Sequence, residues 1–156
     1  MAAFFWYASF PNSRIKPRPS TSRAETYQVQ IADTTQPLTK IVDVDLNRTY
    51  VIVKNLSLST SLWYIYAAET VVDPSVVATF GSTEQLLYQV STNTLFEKQD
   101  EGTTINWVPV NIEDVGESIQ PLQSASLESP ENYWAAADSA VAVIPAVKVG
   151  IDKGSG

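Results

Sequence analysis

Short runs of apolar residues that alternate with polar ones recur along the chain, and they constrain the fold more than any other feature. In residues 25–31, for example, Tyr27, Val29 and Ile31 fall on one face. A period of two is typical of a β-strand with one buried face. Seven further strands are predicted over residues 39–46, 49–55, 61–67, 85–90, 103–110, 132–137 and 140–151.

Helical periodicity is almost missing from the sequence. The best helical candidate is 71–80, and Pro74 limits it to a turn or two. Residues 85–90 fit either a strand or a helical turn. About eight short strands without long helices predict an all-β fold, an antiparallel β-sandwich or a jelly roll.

Two of these strands carry specific expectations. Alternation over 39–46 predicts that Val42, Val44 and Leu46 point inward, while Asp43 and Asp45 lie on the solvent face. Residues 49–55 are β-branched and apolar on both faces, which favours a central strand.

The later part of the chain is expected to be more irregular. Residues 97–102 are predicted to form a turn, and 124–131 a polar loop. Strands 132–137 and 140–151 are separated by a segment short enough for a hairpin, so we expect a closing pair of strands. Pro145 cannot donate to a ladder and indicates an edge position or a bulge.

The N-terminal segment differs in character from the rest of the chain. Residues 1–24 hold four basic groups and no acidic one, and prolines exclude regular helix from much of it. We therefore expect an extended arm over 1–24, a sandwich over 25–151 and a loose tail over 152–156. The basic residues of the arm are Arg14, Lys16, Arg18 and Arg23.

The arm also carries the most apolar tetrapeptide of the sequence. Four consecutive aromatic rings can remove about 600–1,000 Å² from water if they find pockets. Ordering such an arm costs roughly 10–20 kcal/mol, so nearly every ring has to be buried. We interpret the arm as an anchor that docks into a neighbouring subunit; a strand folded back onto its own sandwich is the alternative. The anchoring residues are Phe4, Phe5, Trp6, Tyr7 and Phe10.

The amino-acid composition excludes several kinds of functional site. The chain has no cysteine and no histidine, so disulfides, thiolate metal sites and the commonest general base are excluded. Beyond the arm, six basic groups face seventeen acidic ones, and this acidic body argues against nucleic-acid contact by the fold. No stretch approaches the roughly 20 apolar residues of a membrane span.

The search for catalytic motifs predicts no enzyme. The sequence has no G-x-S-x-G elbow, phosphate loop or dinucleotide fingerprint. Grouped carboxylates such as Asp43 with Asp45 fit a charged, solvated face better than a calcium or catalytic site. No metal or cofactor is expected. Trp63 and Trp134 are core or interface residues, or else surface aromatics that stack on sugars.

Four segments resemble small β-sandwich virion proteins of bacteriophages. These are an Arg followed by an apolar strand ending in Asn, a paired aromatic strand, a Gly-x-x-Ile-x-Pro motif, and an aromatic strand followed by a closing Ala/Val strand. Here they correspond to Arg48–Asn55, Trp63–Tyr66, Gly116–Pro121 and Tyr133–Val149, about two-thirds of the sandwich.

Among such proteins, the chain is most similar to the capsid cement, or decoration, proteins of tailed phages, which are small, acidic and free of cysteine. The resemblance implies a jelly-roll-like body, dimers or trimers on the capsid exterior, and contacts with the major capsid protein or other virion subunits. It brings no catalytic residues. A spike, head fibre, tail protein or small capsid subunit, and a carbohydrate-binding module, remain alternatives.

Overall fold

The computed structural model describes residues 23–33, 37–76, 84–101, 104–138 and 144–153, which form twelve strands, a 3₁₀ turn and one short helix. The first six strands are β1 (Arg23–Gln30), β2 (Thr39–Val42), β3 (Arg48–Asn55), β4 (Leu62–Tyr66), β5 (Ala68–Thr70) and β6 (Leu86–Gln89). The others are β7 (Thr94–Glu101), β8 (Thr104–Val110), β9 (Glu117–Ile119), β10 (Ser124–Leu127), β11 (Tyr133–Ala137) and β12 (Ala146–Lys153). The 3₁₀ turn is Pro74–Val76, and helix α1 is Ile112–Val115.

The strands form three four-stranded sheets. Sheet A has the order β9-β4-β11-β2, sheet B the order β10-β3-β12-β1, and sheet C the order β5-β6-β7-β8. All pairs are antiparallel except β5 with β6, which run parallel. The predicted all-β, antiparallel sandwich is therefore confirmed.

Sheets A and B pack face to face around the main core. Val51 and Val53 of β3 and Val147 and Val149 of β12 are completely buried there, against residues of sheet A such as Leu62. Inward-facing residues two apart on each strand explain why the apolar positions of these segments alternate.

Sheet C covers the opposite face of sheet A, so sheet A is the middle layer. All five residues of β11 are buried, because alternate side chains point toward sheet B and toward sheet C. Trp134 points toward sheet C and packs on Tyr88, with ring centroids 4.6 Å apart. A strand buried on both faces explains the uninterrupted apolar run YWAAA.

Each of the eight predicted strands has a counterpart, and the ambiguous segment 85–90 is the strand β6. The central position of residues 49–55 is confirmed, since β3 lies between β10 and β12. One of its two apolar faces is partly exposed, since Tyr50 and Ile52 are 43% and 45% exposed on the outer face of sheet B.

Four strands were not predicted, namely β5, β7, β9 and β10. The predicted turn at 97–102 was wrong for Glu97–Glu101, which continue β7 alongside β8. The predicted loop at 124–131 was wrong for Ser124–Leu127, where Ala125 and Leu127 pack toward the core. The other face of each strand carries charged or small residues, so the sequence pattern did not indicate a strand there.

The predicted closing hairpin was also wrong. Strand β11 pairs with β2 and β4 in sheet A, whereas β12 pairs with β1 and β3 in sheet B. The chain therefore crosses from one layer to the other between them. Pro145 lies just before β12, where its carbonyl accepts a hydrogen bond from the Ile31 N–H at 2.9 Å.

The predicted inward orientation of Val44 and Leu46 was wrong, since these side chains are 51% and 82% exposed. Strand β2 ends at Val42, and the Val44 N–H then donates to Asn132 Oδ1 at 2.7 Å. This contact draws the backbone out of the sheet, so the alternation stops. Asp43 is exposed, as predicted.

The sandwich extends beyond the predicted limits of 25–151. Arg23 and Ala24, assigned to the arm, are the first residues of β1, and they pair with Lys153 and Asp152 of β12. Residues 1–22 and 154–156 lie outside the described part of the chain. In the described ranges, no helix is both long and apolar enough to cross a membrane.

Candidate binding groove

A groove of about 540 Å³ opens where the edges of sheets A and B meet the start of sheet C. We call it the tyrosine groove, because tyrosines of β4 and β11 form one of its walls. Its principal lining residues are Tyr64, Tyr66, Leu86, Glu117, Leu127 and Tyr133.

The three tyrosines form a contiguous aromatic surface. The Tyr66 ring meets the Tyr133 ring edge to face, with centroids 5.8 Å apart, and Tyr64 lies 6.4 Å from Tyr133 on the other side. Tyr133 is only 4% exposed, whereas Tyr66 is 47% exposed. A buried ring thus supports an exposed one, which gives a rigid apolar surface with polar tips.

Tyr64 is fixed by a carboxylate on the neighbouring strand. Its hydroxyl donates a hydrogen bond to Glu117 Oε1 at 3.0 Å across the β4–β9 pair. The pKa of Tyr64 is raised to about 12, mainly by burial and secondly by this hydrogen bond. The phenol is therefore neutral near pH 7, and it holds the Glu117 side chain beside the groove.

The loop after β10 forms the opposite wall, and Arg48 anchors it. The guanidinium donates from Nη1 to the Asp43 carbonyl at 2.6 Å and from Nη2 to the carbonyls of Ser129 and Glu131. The Ser129 N–H donates in turn to the Tyr133 hydroxyl at 3.0 Å. A buried cation that satisfies three carbonyls explains why this polar loop holds one conformation.

Two strand edges border the groove. Strand β9 begins at Glu117, opposite Tyr64, so Ile65 and Tyr66 extend past the first residue of that strand. Strand β10 is the outermost strand of sheet B in the described part of the chain. Such edges can add an extended segment as a further strand.

Gly116 brings the chain close to β4 at the end of helix α1. A Cβ atom at this position would lie 2.7 Å from the Ile112 oxygen and 2.9 Å from the Tyr64 oxygen. Only glycine fits this approach, which places Glu117 within reach of Tyr64. The glycine belongs to the Gly-x-x-Ile-x-Pro motif noted in the sequence.

The groove is acidic. Of the described residues that line it, Glu117 and Glu128 are acidic and none is basic. Nearby, burial raises the pKa of Glu84, and a hydrogen bond with the Glu131 side chain adds to this effect. A ligand with cationic groups beside apolar ones suits this surface.

The predicted anchoring residues of the arm, together with Arg14, Lys16 and Arg18, lie outside the described residues. Arg23 starts β1 and pairs with Lys153 at the edge of sheet B opposite β10. Trp63 and Trp134, rather than the groove tyrosines, were the aromatic residues predicted as possible surface contacts. The signal for the groove was the spacing of Tyr64 and Tyr66, two apart on one strand face.

Trp134 is unsuited to the surface role considered for it. It is 3% exposed, and its Nε1–H donates to the Ala67 carbonyl at 2.9 Å. Trp63 is half-buried and packs toward sheet C with Ile65. Both indoles therefore pack in the apolar layer between sheets A and C, in agreement with the core interpretation.

The acidic residue Asp43 forms an ion pair rather than a metal site. Lys40 Nζ lies 3.2 Å from Asp43 Oδ1 and also contacts the Glu69 carboxylate. The Glu69 hydrogen bond is the main reason that the pKa of Lys40 is raised. Within the described ranges, no three metal-ligating side chains come together.

Comparison with known proteins gives no match. No protein-family model, curated protein or solved structure is similar to this chain by the criteria applied. Function is therefore inferred from the residues and geometry of the chain itself.

Proposed function

We propose that the protein is a structural component of a bacteriophage virion that acts as capsid cement on the exterior of the head. The observation that carries this proposal is the position in the fold of the four segments that resemble phage virion proteins. They supply β3, nearly all of β4, β9, β11 and the first half of β12, which pair with one another within sheets A and B. The segments that carry the resemblance are therefore neighbouring strands within the two sheets, and not strands scattered over the fold.

The surfaces of this body suit binding by contact. Tyr50 and Ile52 lie exposed on the outer face of sheet B, and Tyr66 is exposed in the tyrosine groove. Half-exposed aromatic and aliphatic groups on rigid strands lose little conformational freedom on docking. This role needs no catalytic residue and no cofactor.

Charge supports attachment through the arm. The arm carries Arg14, Lys16, Arg18 and Arg23 without an acidic residue, while the rest of the chain is acidic. Contacts between the arm and an acidic partner weaken as salt screens them. Two or three copies bound together raise avidity by roughly 10²–10⁴ over one site, so each contact can be modest.

Co-sedimentation tests this proposal. The full chain is mixed with heads assembled from the shell protein encoded by the same phage genome, and the mixture is run on a sucrose gradient. We expect the protein to migrate with the heads at a fixed copy number and to dissociate at high salt. Recovery of all protein at the top of the gradient at every concentration and salt level would contradict cement function.

Carbohydrate binding is a second candidate, because an exposed tyrosine next to a carboxylate is an arrangement that can stack on a sugar ring and hydrogen-bond its hydroxyls. In the tyrosine groove Tyr66 is the exposed ring, and Glu117, beside Tyr64, supplies the carboxylate. Glycan-array binding that is lost in Tyr66→Ala, but kept in Tyr50→Ala on the outer face of sheet B, would favour this candidate over cement.

A further inference from the structure

We propose that the tyrosine groove binds the aromatic segment Phe4–Phe10 of a second copy of this chain. The inference rests on the proposed function, in which the arm is the fastening element, and it adds the site that receives the arm. Three observations carry it: the chemistry of the groove, the point where the arm joins the body, and the area that an exchange of arms buries.

The chemistry of the two surfaces is complementary. The groove presents the rings of Tyr64 and Tyr66 and the carboxylates of Glu117 and Glu128. The segment at residues 4–10 contributes five aromatic rings, and the basic residues Arg14, Lys16 and Arg18 follow it. Rings that pack against the tyrosines therefore bring cations to the acidic rim.

The backbone of residues 2–10 is suited to pairing with a strand edge at the tyrosine groove. Residues 2–10 contain no proline, so every amide in this stretch can donate to a strand ladder. The edge of β10 and the end of β4 both border the groove. Main-chain pairing at such an edge supplies affinity, while pockets for alternate side chains supply specificity.

The point of attachment favours a neighbour over the same molecule. Arg23, Lys153 and Arg48 form one row across sheet B, and the groove lies at the same end, beyond β10. Within one molecule the span from β1 to β10 is three strand spacings, about 14 Å.

The linker is much longer than this internal span. Twelve residues lie between Phe10 and Arg23, and Pro11, Pro17 and Pro19 favour an extended, semi-rigid chain. At roughly 3 Å per residue it covers about 40 Å, comparable to the diameter of a domain this size. Effective concentration is highest when linker length matches the distance to be spanned, and this linker is far longer than the internal span.

The area agrees with a stable dimer. On a paired strand only alternate rings face the groove, so two of the four consecutive rings bury about 300–500 Å². The groove covers a similar area of its own surface, which gives about 600–1,000 Å² for one contact. Reciprocal exchange of two arms doubles this to about 1,200–2,000 Å², the size of a standard stable interface. A twofold dimer with two identical arm–groove contacts follows.

Cysteine cross-linking of the full chain tests the proposal, because the natural chain contains no cysteine. One variant carries Ser9→Cys within the aromatic segment, and another carries Ser126→Cys at the groove. Both changes keep every ring in place. The control is Ser59→Cys, exposed in the loop before β4 at the other end of the sandwich.

After mild oxidation of a mixture of the two single variants, we expect a covalent heterodimer, and at least about tenfold less product with the Ser59→Cys control. An intrachain link in the double variant, without heterodimer in the mixture, would show that the arm folds back and would overturn the second-copy proposal. Equal cross-linking to Ser59→Cys, or none to Ser126→Cys, would show that the groove does not hold this segment.

A second measurement separates this inference from the function on which it rests. In sedimentation equilibrium, Tyr66→Ala should raise the dimer dissociation constant at least about tenfold, while Tyr50→Ala leaves it unchanged. If head binding persists and no arm–groove link forms, the inference fails and cement function stands. If the link forms and no head binds, arm exchange stands and cement function fails.

Discussion

The guanidinium of Arg48 lies over the ring of Tyr133, with Cζ 6.0 Å from the ring centroid. Arg48 comes from the start of β3 in sheet B, and Tyr133 from β11 in sheet A. This contact therefore joins the two sheets at the end where the tyrosine groove opens. The same cation holds the groove loop through main-chain carbonyls, so one side chain links the fold to the candidate site.

Replacement of Arg48 by Met should destabilise the protein by about 2–4 kcal/mol, because three carbonyls lose a charged donor that Met cannot replace. Urea denaturation measures the change. Lys54→Met, on an exposed position of the same strand, should stay within about 0.5 kcal/mol of the natural protein. Equal effects of the two substitutions would contradict the anchoring role.

The two tryptophans that pack toward sheet C should respond differently to Phe. Trp134→Phe leaves the Ala67 carbonyl without its donor and should cost about 1–3 kcal/mol beyond the lost ring area. Trp63 Nε1 is buried with no hydrogen-bond acceptor among the described residues, so Trp63→Phe should cost less. Thermal unfolding of both variants checks the order, and a reversed order would refute it.

A matched pair of glycine substitutions tests the close approach beside the groove. Gly116→Ala places a Cβ against two main-chain oxygens and should cost about 1–3 kcal/mol or more. Gly150→Ala meets nothing nearer than the Ile52 oxygen at 3.9 Å and should stabilise by about 0.4–1 kcal/mol. Denaturation midpoints compare them; a neutral Gly116→Ala would contradict the crowding at β4.

Stability should fall as the pH rises from about 10 to about 12. Burial is the first cause that raises the pKa of Tyr27 and of Tyr64 to about 12, whereas an unfolded tyrosine titrates near 10. Above pH 10 the unfolded chain therefore loses protons that the folded protein retains, and unfolding becomes more favourable.

Urea midpoints at pH 9 and pH 11 measure this alkaline loss of stability. Tyr64→Phe removes one titrating phenol, so the midpoint should change less between the two pH values than it does in the natural protein. Tyr50→Phe, at an exposed position on sheet B, is the control and should leave the difference unchanged. An undiminished difference in Tyr64→Phe would contradict the assignment.

Much of the fold was predictable because every second side chain on the strands of sheets A and B points into a common core. Residues 49–55 and 132–137 gave clear signals, since Val51, Val53 and Ala135 fill that core. The signal failed where a strand had little apolar content of its own. Ser124–Leu127 reads as a loop, and only its pairing with β3 makes it a strand.

The candidate site was less predictable than the fold. Tyr64 and Tyr66 were visible as aromatics on one strand, but their approach to Tyr133 depends on the β4–β11 register. The acidic rim arises from residues far apart in sequence, Glu117 and Glu128. Long-range register decides both, and local sequence patterns do not encode it.

The position of β12 in sheet B bears on how the protein is made on the ribosome. Strand β12 is the last of the twelve in chain order, yet it lies between β1 and β3. A nascent chain that has not reached Ala146 holds β1 without its neighbour and leaves the inner edge of β3 bare. The sandwich therefore closes only after Ala146–Lys153 has been synthesised, and a premature stop before this strand would yield an incomplete, aggregation-prone product rather than a smaller working domain.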